Sequence, residues 1–322
     1  MPDPVSVRRS KAVLVTGASG LVGTHTCEEL VRRGWKVRAL VRNQTKAAMR
    51  LGHMALEFHT GDVRDKESLE KATEGCGAVV HLAAIAIEKA GQTYEDVNTD
   101  ATKNLIAAAR AAGVDRFVHM SQNGSDSRSS SPFIRSKGLA QDAVAESGLP
   151  FTILRPSVIF GPQDEFVNVL GRLIKLTPVF FPLPDGGRAR FQPIAVSDVA
   201  KAVRLSLEKE STRGGIYPLG GRSPLTLREM TEIILAAMGA SRRIVSVPVS
   251  ALKPLVSLLA KTIPNPPVTS ELLGMLALDN TVKDNALTAT FGITPVPFAP
   301  DELSYLRRIT VSSALRSLFE RG

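Results

Sequence analysis

Three glycines in residues 16–23, with the sequence TGASGLVG, have the spacing of a phosphate-binding turn. Gly17 permits a tight turn, Gly20 allows the backbone to approach a pyrophosphate, and Gly23 allows a following helix to pack closely on the preceding strand. We therefore expect a pyrophosphate group to bind at this turn. A glycine turn without a ligand is the alternative interpretation.

The residues around this turn supply the elements that a phosphate site requires. An apolar run at 12–16 predicts a strand before it, and an amphipathic pattern at 21–33 predicts a helix after it. The first turn of a helix carries N–H groups without an intrahelical acceptor and the positive end of the helix dipole. We therefore expect Ser19, Leu21 and Val22 to contact the phosphates together with the glycines.

The end of the second predicted strand bears on which nicotinamide dinucleotide binds. An Asp or Glu about 20 residues beyond the glycines would bind the adenosine ribose of NAD. Here that position is Val41, and Arg42 follows it. The Arg42 guanidinium, with Lys46 as a second cation, would pair with the 2′-phosphate of NADP. We predict NADP(H) as the preferred cofactor, with NAD(H) as the alternative. The other interpretation of Arg42 is an ordinary surface charge with no role in binding.

Six β-branched runs alternate with helical patterns over the first 155 residues. The predicted strands are 12–16, 36–41, 56–60, 78–82, 116–121 and 151–155, and the helices between them include 21–33, 66–73, 99–112 and 136–147. Apolar strands separated by helices predict a parallel sheet covered on both faces. The expected fold class is α/β, a Rossmann-like doubly wound sheet over 1–155. Frequent prolines then predict a smaller, less regular region over 156–322, on the substrate or partner side.

Four segments make the chain resemble the extended, epimerase-like branch of the short-chain dehydrogenase/reductase superfamily. They are the glycine turn, the pair Asp62-Val63, the segment VHLAA at 80–84 and the segment LRP at 154–156. The resemblance implies that Asp62 and Val63 face the adenine, and that Leu82, Ala83 and Ala84 lie close to the cofactor. Looser patterns at 190–200, 217–221 and 278–280 are similar to the nucleotide-binding accessory subunits of respiratory complex I and their bacterial relatives.

The resemblance also implies a catalytic set of Asn, Ser, Tyr and Lys, in which the lysine follows the tyrosine by four residues. Asn98, Ser121 and Lys137 match three members, but Phe133 stands at the tyrosine position. In that family the phenol transfers a proton and the lysine lowers its pKa, and phenylalanine has no such proton. None of the three tyrosines of the chain is followed by lysine four residues later. We therefore predict a weakly active or non-catalytic protein with a structural, assembly or redox-sensing role.

A different proton donor would instead leave an active NAD(P)-dependent oxidoreductase or epimerase. Ser121, Asp126 and a water beside the cofactor are the alternatives for that donor. The resemblance implies that Lys137 binds the nicotinamide ribose, and an exposed helix lysine is its ordinary interpretation. A link to the respiratory chain is implied by the resemblance alone, since a fold does not fix a function.

The composition excludes several classes of protein. Of the 322 residues, 43% are hydrophobic and 22% are charged, which is typical of a globular protein with a core and excludes intrinsic disorder. The formal net charge is +9, but aromatic residues are not interleaved with the basic runs, so we expect no nucleic acid. The two cysteines and five histidines lack the spacing of metal ligands, so we expect no metal. We expect a cytoplasmic protein, because no targeting segment or apolar membrane span is visible.

One helical pattern at 250–262 combines apolar and basic faces. Leu252, Leu255, Val256 and Leu259 follow helical spacing, and lysines lie on another face. Such a helix can dock on a protein partner or an anionic membrane surface, so the protein would be peripheral at the membrane. A core-facing helix of the second region is the more ordinary interpretation.

Overall fold

The computed structural model describes residues 10–89, 91–264, 266–268, 273–274 and 276–319. They form two compact units. The first unit comprises the chain up to Pro156 together with Val196–Leu219 and Asp284–Thr294, and the second comprises the remaining segments. The sequence suggested contiguous regions, 1–155 and 156–322, whereas the first unit here recruits two later segments. The reason is that Gly215–Leu219 adds the seventh strand of its sheet, while the helix Val196–Glu208 packs on the helix Leu21–Arg32 and Ala286–Ala289 packs on the added strand.

The first unit contains a seven-stranded parallel sheet in the order β11-β6-β5-β4-β1-β2-β3. The fold class predicted from the sequence, α/β with a Rossmann-like doubly wound parallel sheet, is confirmed. Each predicted strand overlaps an observed one and differs from it by at most two residues at either end. The strands of the chain are β1 (Ala12–Thr16), β2 (Lys36–Val41), β3 (Glu57–Thr60), β4 (Cys76–His81), β5 (Arg116–Met120), β6 (Phe151–Pro156), β7 (Ile159–Phe160), β8 (Phe180–Pro184), β9 (Arg190–Phe191), β10 (Ile194–Ala195), β11 (Gly215–Leu219), β12 (Leu225–Thr226) and β13 (Arg243–Val247).

The helices follow the strands in the alternating order that a parallel sheet requires. A π-helical turn, Glu95–Asp100, precedes the fourth helix, and short 3₁₀ turns lie at Asp185–Gly187, Glu210–Thr212 and Ser304–Arg308. The helices are α1 (Leu21–Arg32), α2 (Gln44–Leu51), α3 (Lys66–Thr73), α4 (Ala101–Ala111), α5 (Pro132–Ala145), α6 (Val167–Leu176), α7 (Val196–Glu208), α8 (Leu227–Ala237), α9 (Val249–Thr262), α10 (Ala286–Ala289) and α11 (Val311–Phe319).

Helices in the first unit pack in two groups. Helix α1 packs on α7, and α4 packs between α3 and α5. The apolar strand residues Leu14, Val79 and Phe117 form one buried cluster with Leu105 of α4 and Val144 of α5. Burying each such side chain contributes about 1.5–3 kcal/mol, so this cluster fixes the strand ends where the predicted site residues lie.

The second unit is built from short paired strands and helices around its own core. Strand β7 pairs with β10, β8 with β13 and β9 with β12. Helix α6 packs on α8 and α11. Helix α8 begins with a capping box, in which Thr226 accepts a hydrogen bond from Glu229 N–H and the Glu229 carboxylate accepts one from Thr226 N–H.

Helix α9 of the second unit, predicted as 250–262, presents most of its surface to solvent. Val256 is buried, but the side chains of Leu255 and Leu258 are 54% and 59% exposed. Val256 is therefore buried, as a core-facing helix would require, whereas Leu255 and Leu258 do not face a core. Among the described residues, no helix is long and apolar enough to cross a membrane.

Candidate functional site

The glycine turn between β1 and α1 has a backbone shape that excludes larger side chains. Gly17 has a φ of +66°, and a Cβ there would lie 2.8 Å from the backbone nitrogen of Ala83. A Cβ on Gly23 would lie 2.1 Å from the Gly17 oxygen. Gly17 and Gly23 therefore allow the chain after β4 and the start of α1 to approach the turn closely.

A cavity of about 270 Å³ opens beside this turn, at the carboxyl ends of the strands. Nine of the residues predicted to bind a cofactor line it: Gly17, Ser19, Gly20, Arg42, Asp62, Val63, Leu82, Ala83 and Ala84. Other lining residues were not predicted from the sequence, among them Gly61, Arg64, Ile85 and Gln92. The cavity and the turn fit a dinucleotide, because small residues leave room where a phosphate must approach the backbone.

Four predicted cofactor residues do not line this cavity. Leu21, Val22 and Gly23 form the first turn of α1, where Thr24 N–H donates to the Gly20 oxygen as the helix begins. The earlier N–H groups of this turn have no acceptor within the helix, as a phosphate site requires. The fourth residue, Lys137, is buried in α5.

Asp62 is held by Arg64, an arginine that no sequence motif had indicated. Arg64 donates to Asp62 through Nη2 at 2.9 Å and through Nε at 3.1 Å, and its backbone N–H donates at 2.9 Å. The hydrogen bonds from Arg64 are the main reason that the pKa of Asp62 is lowered. The positive charge of Arg42 lowers it a little further. Asp62 is therefore a carboxylate at neutral pH, a hydrogen-bond acceptor at the edge of the cavity.

Lys137 is not an exposed helix lysine. Its side chain is buried, and Nζ donates to the Met120 backbone oxygen at 2.7 Å, which places the ammonium at the end of β5. Burial lowers the pKa of Lys137 to about 8. The group still carries its proton at neutral pH and can lose it near pH 8, so it can donate hydrogen bonds to a ribose or exchange a proton.

Asn98 and Ser121, two further members of the predicted catalytic set, are both engaged in hydrogen bonds. Asn98 lies in the π-helical turn, where its amide bonds both backbone groups of Ile85 and donates to Ser136 Oγ at 3.0 Å. It therefore links the chain after β4 to α5. Ser121 follows β5 and donates to Ser125 Oγ at 3.0 Å. The lone pairs of the Ser121 hydroxyl oxygen can still accept a hydrogen bond from a ligand.

Phe133 lies in the first turn of α5, four residues before Lys137. Its ring packs against Tyr94, with ring centroids 5.5 Å apart. The Tyr94 hydroxyl donates to the Ala86 backbone oxygen at 3.0 Å. Phe133 therefore makes an apolar contact at the position where a catalytic phenol was expected.

Asp126 was one alternative for a relocated acid. It is exposed, and its carboxylate accepts a hydrogen bond from the Arg128 backbone N–H at 2.9 Å. This bond is the main cause that lowers the pKa of Asp126. Asp126 is therefore ionised at neutral pH, and it has no proton to donate.

Two buried histidines lie side by side on neighbouring strands of the sheet, a pairing that no sequence pattern had indicated. His81 of β4 bonds Thr16 Oγ1 at 2.7 Å and Thr102 Oγ1 at 2.9 Å. His119 of β5 is its register partner, with ring centroids 5.4 Å apart. Among the described residues, the two ring nitrogens of His119 are buried without a hydrogen-bond partner. Burial, followed by the Lys137 charge, lowers the pKa of both rings, that of His81 to about 3.

Comparison with known protein families identifies the family of this chain. The model of the NAD dependent epimerase/dehydratase family matches residues 13–220, which contain the glycine turn, the cavity and Lys137. The chain belongs to this family. The resemblance to the epimerase-like branch of the short-chain dehydrogenases is thereby confirmed.

Curated relatives of this chain include subunits of a respiratory complex. The "NADH dehydrogenase [ubiquinone] 1 alpha subcomplex subunit 9, mitochondrial" of Arabidopsis thaliana is 28% identical over 290 residues, 85% of this chain and 71% of that protein. The "NADH-ubiquinone oxidoreductase 40 kDa subunit" of Neurospora crassa is 26% identical, covering 91% of this chain and 78% of that one. The similarity to complex I subunits extends over most of the chain.

Solved epimerase structures share the fold. UDP-glucose 4-epimerase from Thermus thermophilus, in complex with NAD, superposes with a TM-score of 0.69 at 24% identity, covering 94% of this chain and 99% of that one. UDP-glucuronic acid 4-epimerase from Bacillus cereus, in complex with its sugar nucleotide and NAD, gives 0.71 at 18% identity, covering 95% and 99%. At these identities the likeness extends to the architecture alone.

Proposed function

We propose that this protein binds NADP(H) and uses the bound nucleotide for a structural, assembly or redox-sensing role, with weak or no turnover. The observation that carries the proposal is the combination of Phe133 with an intact nucleotide cavity. Loss of a general acid or base lowers a rate by about 10²–10⁴-fold, whereas it leaves nucleotide binding untouched. A family member with this combination remains a binder.

The preference for NADP(H) is supported by the end of β2. Val41 stands where a carboxylate would bind the ribose of NAD, and Arg42 lines the cavity beside it. A carboxylate at that place would repel a 2′-phosphate, whereas a guanidinium forms charge-assisted hydrogen bonds with it. Arg42 would therefore select NADP(H) over NAD(H).

The partner of such a binder is supported by the relatives and by helix α9. Two relatives are subunits of NADH dehydrogenase in mitochondria, so a respiratory or quinone-linked complex is the assembly we propose for this chain. The exposed Leu255 and Leu258 together with Lys253 and Lys261 would let α9 dock on a partner or on anionic lipid. A cytoplasmic protein that is peripheral at the membrane is the corresponding localisation.

Calorimetric titration of the nucleotide-free protein with NADPH and with NADH tests the proposal. We expect NADPH to bind at least about 10-fold more tightly than NADH, since one charge-assisted contact contributes about 1.5–3 kcal/mol. Arg42→Gln should reduce this difference, and Arg110→Gln, an exposed arginine on α4, is the matched control. Equal affinity of the unmodified protein for the two dinucleotides would contradict the NADP preference, and absence of binding would contradict the whole proposal.

A second candidate is an active NADP-dependent oxidoreductase that uses Ser121 or a water as its proton donor. It is favoured by the buried Lys137, whose pKa near 8 suits proton exchange. A relative described as a ketoreductase, from Stigmatella aurantiaca, is 29% identical over 258 residues. Oxidation of NADPH with a panel of ketones and quinones, abolished by Lys137→Ala, would support this candidate against the first. Activity that survives Lys137→Ala would contradict the role of Lys137 in this candidate.

A further inference from the structure

Arg50 reaches the glycine turn from the far end of helix α2. Its Nη1 donates to the backbone oxygen of Ser19 at 3.0 Å. Ser19 and Arg42 both line the nucleotide cavity, so Arg50 is tied to the same cavity as Arg42. The sequence alone did not indicate Arg50, because nothing in its spacing to the glycines marks such a contact.

Helix α2 separates the two arginines and fixes their distance. Arg42 precedes its N-cap, Asn43, whose side chain accepts a hydrogen bond from Lys46 N–H at 2.9 Å. Arg50 lies in the last turn, and the helix of eight residues spans about 12 Å. Arg42 lines the cavity and Arg50 contacts Ser19, which also lines it, so a group bound between the end of β2 and the glycine turn would lie near both side chains.

The two guanidinium charges differ from that of Arg64, which is paired with Asp62. Among the ion pairs of the described residues, neither Arg42 nor Arg50 has a carboxylate partner. The Ser19 carbonyl uses one of the five N–H donors of Arg50 and compensates none of its charge. Two cations without an ion-pair partner among the described residues, Arg42 in the lining of the cavity and Arg50 at the turn, favour an anionic ligand group there.

We propose that Arg50 is a second specificity-determining contact for the 2′-phosphate of NADP(H), positioned by its hydrogen bond to the Ser19 carbonyl and acting together with Arg42. This inference rests on the proposed preference for NADP(H). It adds that the preference is shared between the end of β2 and the end of α2. Replacing Arg42 alone therefore leaves part of the discrimination in place.

The test measures binding alone, with two pairs of ligands that differ only in the 2′-phosphate. Affinities for NADPH and NADH, and for 2′,5′-ADP and 5′-AMP, are measured for the unmodified protein, Arg50→Gln and Arg50→Lys. Arg110→Gln removes the same charge from α4 as a control. We expect Arg50→Gln to weaken NADPH and 2′,5′-ADP by about 10- to 100-fold and to change NADH and 5′-AMP by less than about 3-fold. Arg50→Lys should fall between, because an ammonium keeps the charge and loses the forked geometry.

The outcomes separate this inference from the proposed function. If the unmodified protein prefers NADPH but Arg50→Gln weakens NADPH and NADH equally, Arg50 only shapes the turn and the inference is wrong. An Arg50→Gln protein with unchanged affinities also overturns it and leaves the preference to Arg42 and Lys46. If the unmodified protein does not distinguish the dinucleotides, the proposed NADP preference itself fails, and this inference fails with it.

Discussion

Acidification below pH 6.5 should destabilise the first unit because of two buried histidines. Burial is the main cause that lowers the pKa of His81 to about 3 and that of His119 well below its ordinary value, and the Lys137 charge acts in the same direction. The His81 ring therefore stays neutral in the folded protein at pH 5, and burial opposes protonation of the His119 ring in the same way. In the unfolded chain they are exposed to water and take up protons near pH 6.5.

The sign and the size follow from proton linkage. Below pH 6.5 the unfolded state binds more protons than the folded state, so the free energy of unfolding falls as the pH falls. With a folded pKa near 3, His81 loses about 2 kcal/mol of stability between pH 7.5 and pH 5.0, and His119, whose pKa is lowered for the same reasons, adds to this loss. The carboxylates Glu29 and Asp62, whose pKa values are lowered, remain ionised throughout this window. The loss is a large part of an ordinary stability of about 5–15 kcal/mol.

The single tryptophan of the chain provides a signal for the first unit. Trp35 lies between α1 and β2 and is buried, so its fluorescence reports unfolding of the unit that contains both histidines. Urea unfolding at pH 7.5, 6.5, 5.5 and 5.0 gives the free energy at each pH. His119→Phe removes one titrating ring, and because that ring has no partner among the described residues, it should cost little at pH 7.5.

Two histidine variants test whether these rings are the groups that titrate. His119→Phe, which keeps His81, should lose about 2 kcal/mol between pH 7.5 and pH 5.0, a smaller loss than that of the unmodified protein. His81→Phe should also lose less stability on acidification than the unmodified protein, but it should be about 1–3 kcal/mol less stable at pH 7.5, since the Thr16 hydroxyl loses its bond to the ring. A free energy of unfolding that does not change over this range, or an unaltered slope in His119→Phe, would show that these rings are not the titrating groups.

Three further substitutions test the turn, the cap and the missing phenol. Gly17→Ala places a Cβ 2.8 Å from Ala83 N at a φ of +66°, so it should lower the free energy of unfolding by about 2–4 kcal/mol and weaken NADPH and NADH alike. Thr226→Ala removes the bond from Glu229 N–H and should cost about 1 kcal/mol in thermal unfolding, whereas Thr226→Ser should cost less. Phe133→Tyr should raise NADPH oxidation with carbonyl substrates by about 10²-fold or more, with Phe133→Leu as the control.

Each of these has an outcome that contradicts it. Gly17→Ala with unchanged stability would mean that the turn relaxes at no cost. Thr226→Ala and Thr226→Ser with equal melting temperatures would mean that the hydroxyl does not cap α8. A Phe133→Tyr protein as inactive as Phe133→Leu would mean that the active site lacks more than the phenol.

The local part of the fold was predictable from the sequence, and its long-range assembly was not. The apolar runs of β1 and β4 and the glycine turn are short-range signals, and the structure shows the strands there. Helix α2 was missed because only Ala47 and Leu51 are buried in its eight residues, which is too few for a clear helical period. The seventh strand, β11, was also missed, since its register with β6 depends on contacts far apart in sequence.

The residues of the candidate site also differ in how far the sequence could predict them. Gly17 and Arg42 were predicted because motif and spacing lie within one βαβ segment, and both line the cavity. Arg50 and Arg64 were missed, because the contacts to Ser19 and Asp62 depend on where side chains turn after folding. Lys137 was expected in the site, but its burial, which sets its pKa, follows from packing that no local pattern records.

The long-range hydrogen bonds of Arg116 affect when this chain can fold during its synthesis. Its guanidinium is fully buried in β5 and donates to the backbone oxygens of Ser206 and Lys209 and to the hydroxyl of Thr212. Those acceptors belong to a segment that leaves the ribosome about 90 residues after Arg116 itself. A nascent or truncated chain that ends near residue 156 lacks these acceptors, keeps the Thr152 hydroxyl as a partner of Arg116, and leaves β6 without its neighbour β11 at the edge of the sheet. The nucleotide unit therefore matures late in translation, and a fragment cut at its first boundary should fold poorly when it is expressed alone.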